Sequence, residues 1–134
     1  MANVSKPNRP RPLSPHIDTY RWGPHMLASI VHRGTGIALS AGGVVLCWWL
    51  LAAATGDAAY EQFQALIGSI PGQLIMLGFT YALIQHALGG LRHLYMDTGR
   101  GYEIRANRRM AMLTFIASIL ITAVIWAFIK GYIS

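Results

Sequence analysis

Three stretches of mostly apolar residues constrain this chain more than any other feature of its sequence. They cover approximately residues 34–55, 72–95 and 110–132. A helix of about 20 residues is long enough to cross roughly 30 Å of hydrocarbon. The first stretch contains no charged residue, and the third contains none before Lys130. The sequence therefore predicts an all-α membrane protein with three transmembrane helices.

Composition excludes the common soluble classes. Only 12% of the 134 residues are charged and 54% are hydrophobic, whereas about 25% of residues are charged in an ordinary soluble domain. The net charge of +6 does not indicate a nucleic-acid binder, because such a protein is not also this apolar. Cys47 is the single cysteine, which excludes an intrachain disulfide and a CxxC metal site. We expect no nucleic-acid partner.

The positive charges predict the topology. Ten of the eleven Lys and Arg side chains lie in residues 1–33 and 92–109, while the segment between the first two spans carries only Asp57 and Glu61. Cytoplasmic loops are enriched in Lys and Arg, so we expect the N-terminus inside and the C-terminus outside. The predicted division is a cytoplasmic N-terminal segment with an interfacial turn, residues 1–33, and a transmembrane anchor domain, residues 34–132. Neither segment has room for an active site of its own.

The second span carries polar groups among small residues. Gly78, Ala82, His86 and Gly90 recur every four residues and share a helix face, with His93 one turn further on. Small residues at this spacing are typical of helix packing in membranes. A histidine between glycines also suits a haem whose iron is bound by Nε2. From the residues alone, haem ligation by His86 and an interhelical hydrogen-bonded histidine both remain open.

A second axial ligand is not evident within the chain. His86 and His93 are about 10.5 Å apart along the helix axis and cannot both bind one iron. We expect His32 to lie close to the inner surface of the membrane. His86 is expected to lie about 16 Å deeper than Asp97 along its helix, and this difference in depth disfavours binding of one iron by both histidines. We therefore expect the second ligand from a partner subunit. His93 and Asp97, at i and i+4, form either a charge-assisted pair or a solvated surface pair.

A second polar cluster precedes the first span. Ser29, His32 and Arg33 lie at i, i+3 and i+4, so a helix presents them on one face. A guanidinium there could bind haem propionates, and a hydroxyl could donate to a quinone carbonyl. The alternative is that Arg33 extends to lipid headgroups and Ser29 caps a helix.

Three motifs carry a family resemblance. They are Arg-Pro-Leu-Ser-Pro-His at residues 11–16 followed by Tyr20, Ser-Ile-Val-His-Arg-Gly-Thr-Gly at residues 29–36, and His-Ala-Leu-Gly-Gly-Leu-Arg-His-Leu-Tyr-Met-Asp at residues 86–97. In order and spacing the chain resembles the cytochrome b membrane-anchor subunits of succinate dehydrogenase, respiratory complex II. The Ser-Pro-His start is similar to the alphaproteobacterial and mitochondrial branch.

The resemblance implies a haem b and a set of site residues. By motif position it implies that His86 is an axial ligand of the haem iron and that the second ligand comes from the other anchor subunit. The remaining residues that it implies are Ser29 and Arg33 for ubiquinone, His32 and Arg33 for the haem propionates, and His93 and Asp97 in less defined roles.

The resemblance also implies a function and an assembly. The expected function is that of the haem-bearing anchor of succinate:ubiquinone oxidoreductase, in the tricarboxylic acid cycle and respiratory chain, without catalysis by this chain alone. The expected partners are a second three-helix anchor completing a bundle, an iron-sulfur subunit, a flavoprotein subunit and lipid of the bacterial inner membrane. The alternatives are a cofactor-free structural anchor and a small transporter subunit, although no span carries a central acidic residue and three spans form no inverted repeat.

Overall fold

The structure, a computed structural model, describes residues 22–133 as four helices. They are α1 (Pro24–Thr55), α2 (Asp57–Gly68), α3 (Ile70–Asp97) and α4 (Ile104–Ile133). Three of them, α1, α3 and α4, are long and apolar enough to cross a membrane, and each contains an 18-residue stretch with a mean hydropathy of 2.0, 1.5 and 2.5, respectively. The prediction of an all-α protein with three membrane spans is confirmed. Residues 11–16 and Tyr20 lie outside the described residues.

Proline, glycine and serine define the helix ends. Pro24 starts α1, where its missing N–H would have no partner in any case. Gly56 ends α1 with a φ of +130°, a value that side chains disfavour. Asp57 follows in the first turn of α2, where a carboxylate suits the helix dipole. Ser69 caps α3, its Oγ accepting from the N–H of Gly72 at 3.3 Å.

The helices extend beyond the predicted spans. Residues 24–33 of the predicted N-terminal segment form the first turns of α1, and α4 begins at Ile104 rather than near residue 110. A hydropathy window stops where charged residues begin, whereas a helix continues as long as its backbone hydrogen bonds do. The short helix α2 was not predicted, because residues 57–68 are too few and too polar to cross a membrane. It packs against α1 and α3 and buries Phe63.

Small and polar residues occupy the interior, while large apolar residues are exposed. The buried side chains of the three long helices are small or polar, among them Ala28, Thr35, Ala82, Gln85, Arg92, Ala111, Thr114, Ser118 and Thr122. Many leucines, isoleucines and valines are more than half exposed, as Ile37 is at 75%. This distribution is typical of a helical protein whose surroundings are hydrocarbon and whose helices approach closely.

Side-chain hydrogen bonds join α3 to α4 at several levels. They run from Ser118 Oγ to Gln85 Oε1 at 2.6 Å, from Trp126 Nε1 to Thr80 Oγ1 at 3.3 Å, and from Lys130 Nζ to Gln73 Oε1 at 2.7 Å. The partners run in opposite order along the two helices, which are therefore antiparallel. In an apolar surrounding such groups have few other partners, so these bonds help to fix the rotation of each helix.

The contact of α1 with α3 depends on glycine. A Cβ added at Gly89 would lie 2.6 Å from His32 Cδ2, and one added at Gly36 would lie 3.1 Å from His86 Cε1. Contacts that short do not fit an additional carbon atom without movement of a neighbour. Each helix thus carries a glycine where the other carries a histidine.

The predicted packing face of α3 is only partly correct. Ala82 is buried as expected, but Gly78 is exposed and has no atom within 4 Å of an added Cβ. The buried face instead continues through Gln85, Gly89 and Arg92. The largest contacts of α3 are those with α1 and α4. Together these contacts lie on a face of α3 that is rotated by about one residue from the face that the glycine spacing predicted.

A glycine pair on α3 tests this packing. We expect Gly89→Ala to destabilise the detergent-solubilised protein by about 1–3 kcal/mol, because the new methyl group overlaps the His32 ring. Gly78→Ala is the matched control and should leave stability nearly unchanged. Thermal unfolding followed by helical circular dichroism measures both. Equal unfolding temperatures of the two variants would contradict the close approach of α1 and α3.

Candidate functional site: a histidine cluster between two membrane helices

Three imidazole rings meet between α1 and α3. The rings of His32 and His86 stack with centroids 4.1 Å apart and planes 11° from parallel. The ring of His93 meets His32 edge-on, at a centroid distance of 5.0 Å and an angle of 65°. This cluster brings together three of the residues that the sequence singled out.

The expected difference in depth between His32 and His86 is wrong. Because α1 begins at Pro24, His32 lies about 12 Å inside that helix rather than at its start. His86 lies about 16 Å from the end of α3 at Asp97, so the two rings reach the same level. Stacked rings lie face to face, however, whereas two imidazoles that bind one iron from opposite sides point a nitrogen at each other. Their stacking does not form a two-histidine iron site.

The Nδ1 atom of His86 is held by α1. It lies 3.0 Å from the carbonyl oxygen of His32 and 3.2 Å from Thr35 Oγ1. A carbonyl oxygen only accepts hydrogen bonds, so Nδ1 carries the proton and donates it. The lone pair of the ring is then on Nε2, which has no hydrogen bond with any of residues 22–133. A histidine held in this way is prepared to bind a metal through Nε2.

Ser29 and Arg33 lie one turn apart on α1. Ser29 is half-buried and Arg33 is exposed. Their spacing places a hydroxyl and a guanidinium on one side of the helix. His32, the third member of the predicted cluster, turns its ring toward α3 instead and stacks on His86. Its Nε2 is buried and has no hydrogen-bond partner in the described part of the chain.

His93 and Asp97 differ in their surroundings. The His93 ring packs against His32, whereas Asp97 is exposed as the last residue of α3. The structure therefore places His93 in the histidine cluster and Asp97 at the helix end. The proposed pairing of the two stays a prediction.

Arg92 is a site residue that the sequence did not single out. Its side chain is only 7% exposed, and Nη2 donates to Asn107 Oδ1 of α4. Its Nε is buried and unpaired among residues 22–133. An arginine near a span end is expected to extend to the membrane surface. The one signal in the sequence is its position on α3. Arg92 follows Gly89 by three residues and Gln85 by seven, so the three residues share the buried face of the helix.

A separate apolar cavity of about 650 Å³ lies between α1, α2 and α3. Its lining includes Leu46, Trp49, Phe63 and Phe79, and apart from Thr80 the side chains that surround it are apolar. Among residues 22–133, no acidic, basic or histidine side chain lines it. The chemistry of the described part of the chain is therefore concentrated at the histidine cluster and the neighbouring turns of α1.

Comparison with known proteins identifies the family of this chain. The sequence model of one family, described as the succinate dehydrogenase/fumarate reductase transmembrane subunit, matches residues 7–125. The chain belongs to this family.

Its relatives include proteins from bacteria and mammals. It is 40% identical over 121 residues to the succinate dehydrogenase cytochrome b556 subunit of Paracoccus denitrificans, covering 90% of this chain and 92% of the relative. The subunit of the same name from Rickettsia felis is 34% identical over 87% of this chain and 90% of its own length. The mitochondrial cytochrome b560 subunit of Sus scrofa is 37% identical over 82% of this chain and 66% of its own length. The resemblance seen in the sequence motifs is confirmed.

The buried Arg92 gives a prediction about stability. Asn107→Leu removes the oxygen that accepts from the guanidinium, so we expect it to lower the free energy of unfolding by about 1.5–3 kcal/mol. Asn107→Asp keeps an acceptor at the same place and should be at least as stable as the original protein. Thermal unfolding in detergent measures both. Equal destabilisation by Leu and Asp would contradict a role for this hydrogen bond.

Proposed function

We propose that this chain is the haem b-bearing membrane anchor of a succinate:ubiquinone oxidoreductase. The observation that carries the proposal is the hydrogen bonding of His86, whose Nδ1–H is held by α1 and whose Nε2 is left with a lone pair. The relatives named cytochrome b subunits support the same cofactor. When bound, haem b supplies a one-electron couple between ferric and ferrous iron.

The residues present fit one axial ligand. His86 provides Nε2, and Gly36 leaves the space beside the ring that a larger residue would fill. His32 cannot complete a two-histidine site while it is stacked on His86, and His93 is about 10.5 Å further along the same helix. These distances support a second axial ligand from a second anchor subunit, which would also complete the helical bundle.

Arg33 and His32 are the proposed partners of the haem propionates. The exposed guanidinium of Arg33 is able to bind a carboxylate through two parallel hydrogen bonds. The buried Nε2 of His32 lacks a hydrogen-bond partner within residues 22–133 and would gain one in a haem carboxylate. We assign His93 and Asp97 to the same end of the site, as polar groups beside the cofactor.

Ser29 and Arg33 are the proposed ubiquinone ligands. A quinone carbonyl gains negative charge as it is reduced, and fixed donors stabilise that charge. A half-buried hydroxyl and an exposed guanidinium one turn apart on α1 supply two such donors. Electrons from succinate, oxidised at a flavoprotein subunit, would arrive through an iron-sulfur subunit. This chain contributes to the quinone end of that path and performs no catalysis alone.

The basic surface supports the proposed topology. Exposed arginines follow α3 and begin α4, namely Arg100, Arg105, Arg108 and Arg109. Positive charge of this kind is typical of the cytoplasmic face and of docking to anionic lipid. We therefore place the N-terminus and the α3–α4 turn on the cytoplasmic side of a bacterial inner membrane. The iron-sulfur and flavoprotein subunits would dock on that side.

A cofactor-free structural anchor is the second candidate. The stacking of His32 on His86 and the glycines beside both rings pack α1 against α3 without any ligand. In that case the histidines serve only to join helices. The absorption spectrum of the purified complex separates the two functions, since only the first gives a haem spectrum.

Replacement of the proposed ligand tests the haem assignment. We expect His86→Ala to abolish or strongly change the haem absorption of the purified complex, because the iron loses its bond to Nε2. His25→Ala changes a half-buried histidine of α1 that lies outside the histidine cluster, so it serves as the control and should keep the spectrum. Reduced-minus-oxidised difference spectra measure both. An unchanged spectrum for His86→Ala would refute the ligand assignment.

Replacement of the donors on α1 tests the quinone assignment. We expect Ser29→Ala and Arg33→Ala each to lower succinate:quinone reductase activity at least about 10-fold, equivalent to about 1.4 kcal/mol of lost stabilisation. Succinate oxidation by an artificial dye should be largely retained, because it does not need the quinone site. Arg33→Lys keeps the charge but loses the forked geometry, so we expect an intermediate rate. Unchanged quinone reductase activity in both alanine variants would contradict the assignment, whereas equal loss of quinone and dye activity would indicate failed assembly.

A further inference from the structure

We propose that Thr35 is a positioning residue for His86, and that its hydroxyl sets the orientation and the donor strength of that imidazole. The inference rests on the proposed function, in which Nε2 of His86 binds the haem iron. Thr35 does not itself touch the iron. It acts on the opposite nitrogen of the ring.

Thr35 lies at the centre of a three-membered hydrogen-bond arrangement. Its side chain is buried, with 8% of its surface exposed. Its hydroxyl donates to the carbonyl oxygen of His32 at 2.9 Å. The same hydroxyl oxygen lies 3.2 Å from Nδ1 of His86, and Nδ1 lies 3.0 Å from the His32 oxygen. Because the hydroxyl proton is directed at the carbonyl, the lone pairs of Oγ1 remain to accept from Nδ1–H.

The bond across to α3 distinguishes Thr35 from an ordinary buried threonine. Thr114 of α4 is also buried, and its hydroxyl donates to the carbonyl oxygen three residues earlier, that of Ala111, at 2.8 Å. That local bond is common for a threonine that satisfies its hydroxyl within its own helix. Thr35 makes the same local bond and, in addition, contacts a histidine of α3.

One turn of α1 forms a cradle for the His86 ring. His32 supplies a carbonyl oxygen and Thr35 supplies a hydroxyl oxygen to the same N–H. Gly36 supplies space, since a Cβ there would lie 3.1 Å from His86 Cε1, the carbon between the two ring nitrogens. The cradle limits rotation of the ring and keeps the proton on Nδ1. The direction of the Nε2 lone pair is thereby set by α1.

The cradle also affects the electronic properties of the ligand. Acceptors on Nδ1–H draw its proton outward and increase electron density on the ring, which makes Nε2 a stronger donor to a metal. A stronger donor favours ferric over ferrous iron. Removal of one of the two acceptors therefore shifts the midpoint potential of the haem to more positive values and loosens the orientation of the ring.

The test uses the intact purified complex with three variants of this chain. Thr35→Val removes the hydroxyl at nearly constant volume, Thr35→Ser retains a hydroxyl, and Thr114→Val removes a buried threonine hydroxyl that has no bond to a histidine. Haem midpoint potential by redox titration and the g-values of the oxidised haem by electron paramagnetic resonance are measured for each. We expect a positive shift of the potential and altered g-values for Thr35→Val only.

The outcomes separate this proposal from the proposed function. If Thr35→Val binds haem with the potential and g-values of the original complex, the role of Thr35 is wrong and the ligand assignment is unaffected. If His86→Ala retains a normal haem spectrum, the proposed function itself is wrong. If the Thr35→Val complex fails to assemble, the haem potentials of Thr35→Ala and Thr35→Ser are compared instead, because only the serine variant keeps a hydroxyl. A shift in the serine variant as large as in the alanine variant would overturn the proposal.

Discussion

The close approach of α1 and α3 at the histidines is the constraint on which the rest of the structure depends. An imidazole placed among hydrocarbon must find hydrogen-bond partners or pay a desolvation cost. His86 finds them in the backbone of α1, at the carbonyl of His32, and this requires the helices to be nearly in contact. Gly36 and Gly89 permit that contact, because each lies where the other helix carries a ring.

The remaining packing follows the same physical rule. With lipid outside, apolar burial gives little drive to bring helices together, so close packing and interhelical hydrogen bonds hold them. Gln85 with Ser118 and Arg92 with Asn107 connect α3 to α4, while His86 connects α3 to α1. Helix α3 is thus held from two sides by polar contacts. Its rotation, and with it the direction of the His86 ring, is determined by both neighbours.

Several parts of the fold and of the site were predictable from local pattern. Three stretches, such as residues 34–55, are apolar enough to lie in lipid. A chain in lipid must satisfy its own backbone hydrogen bonds, which a helix does, so three helical spans follow from the sequence. His86 stood out because a titratable group within such a span is costly. The short helix α2 and the early start of α1 at Pro24 were not predicted, because both lie in segments whose polarity carries no membrane signal.

The sequence by itself determined the class of the protein, its three spans and the family to which it belongs, because hydropathy and motif order are properties of neighbouring residues. Only the tertiary structure decided which groups meet. It placed the ring of His32 against His86, turned Arg92 inward to Asn107 and brought Thr35 to Nδ1 of a residue 51 positions away. These contacts depend on the depth and the rotation of whole helices. Packing between helices sets both, and no local pattern of residues specifies them.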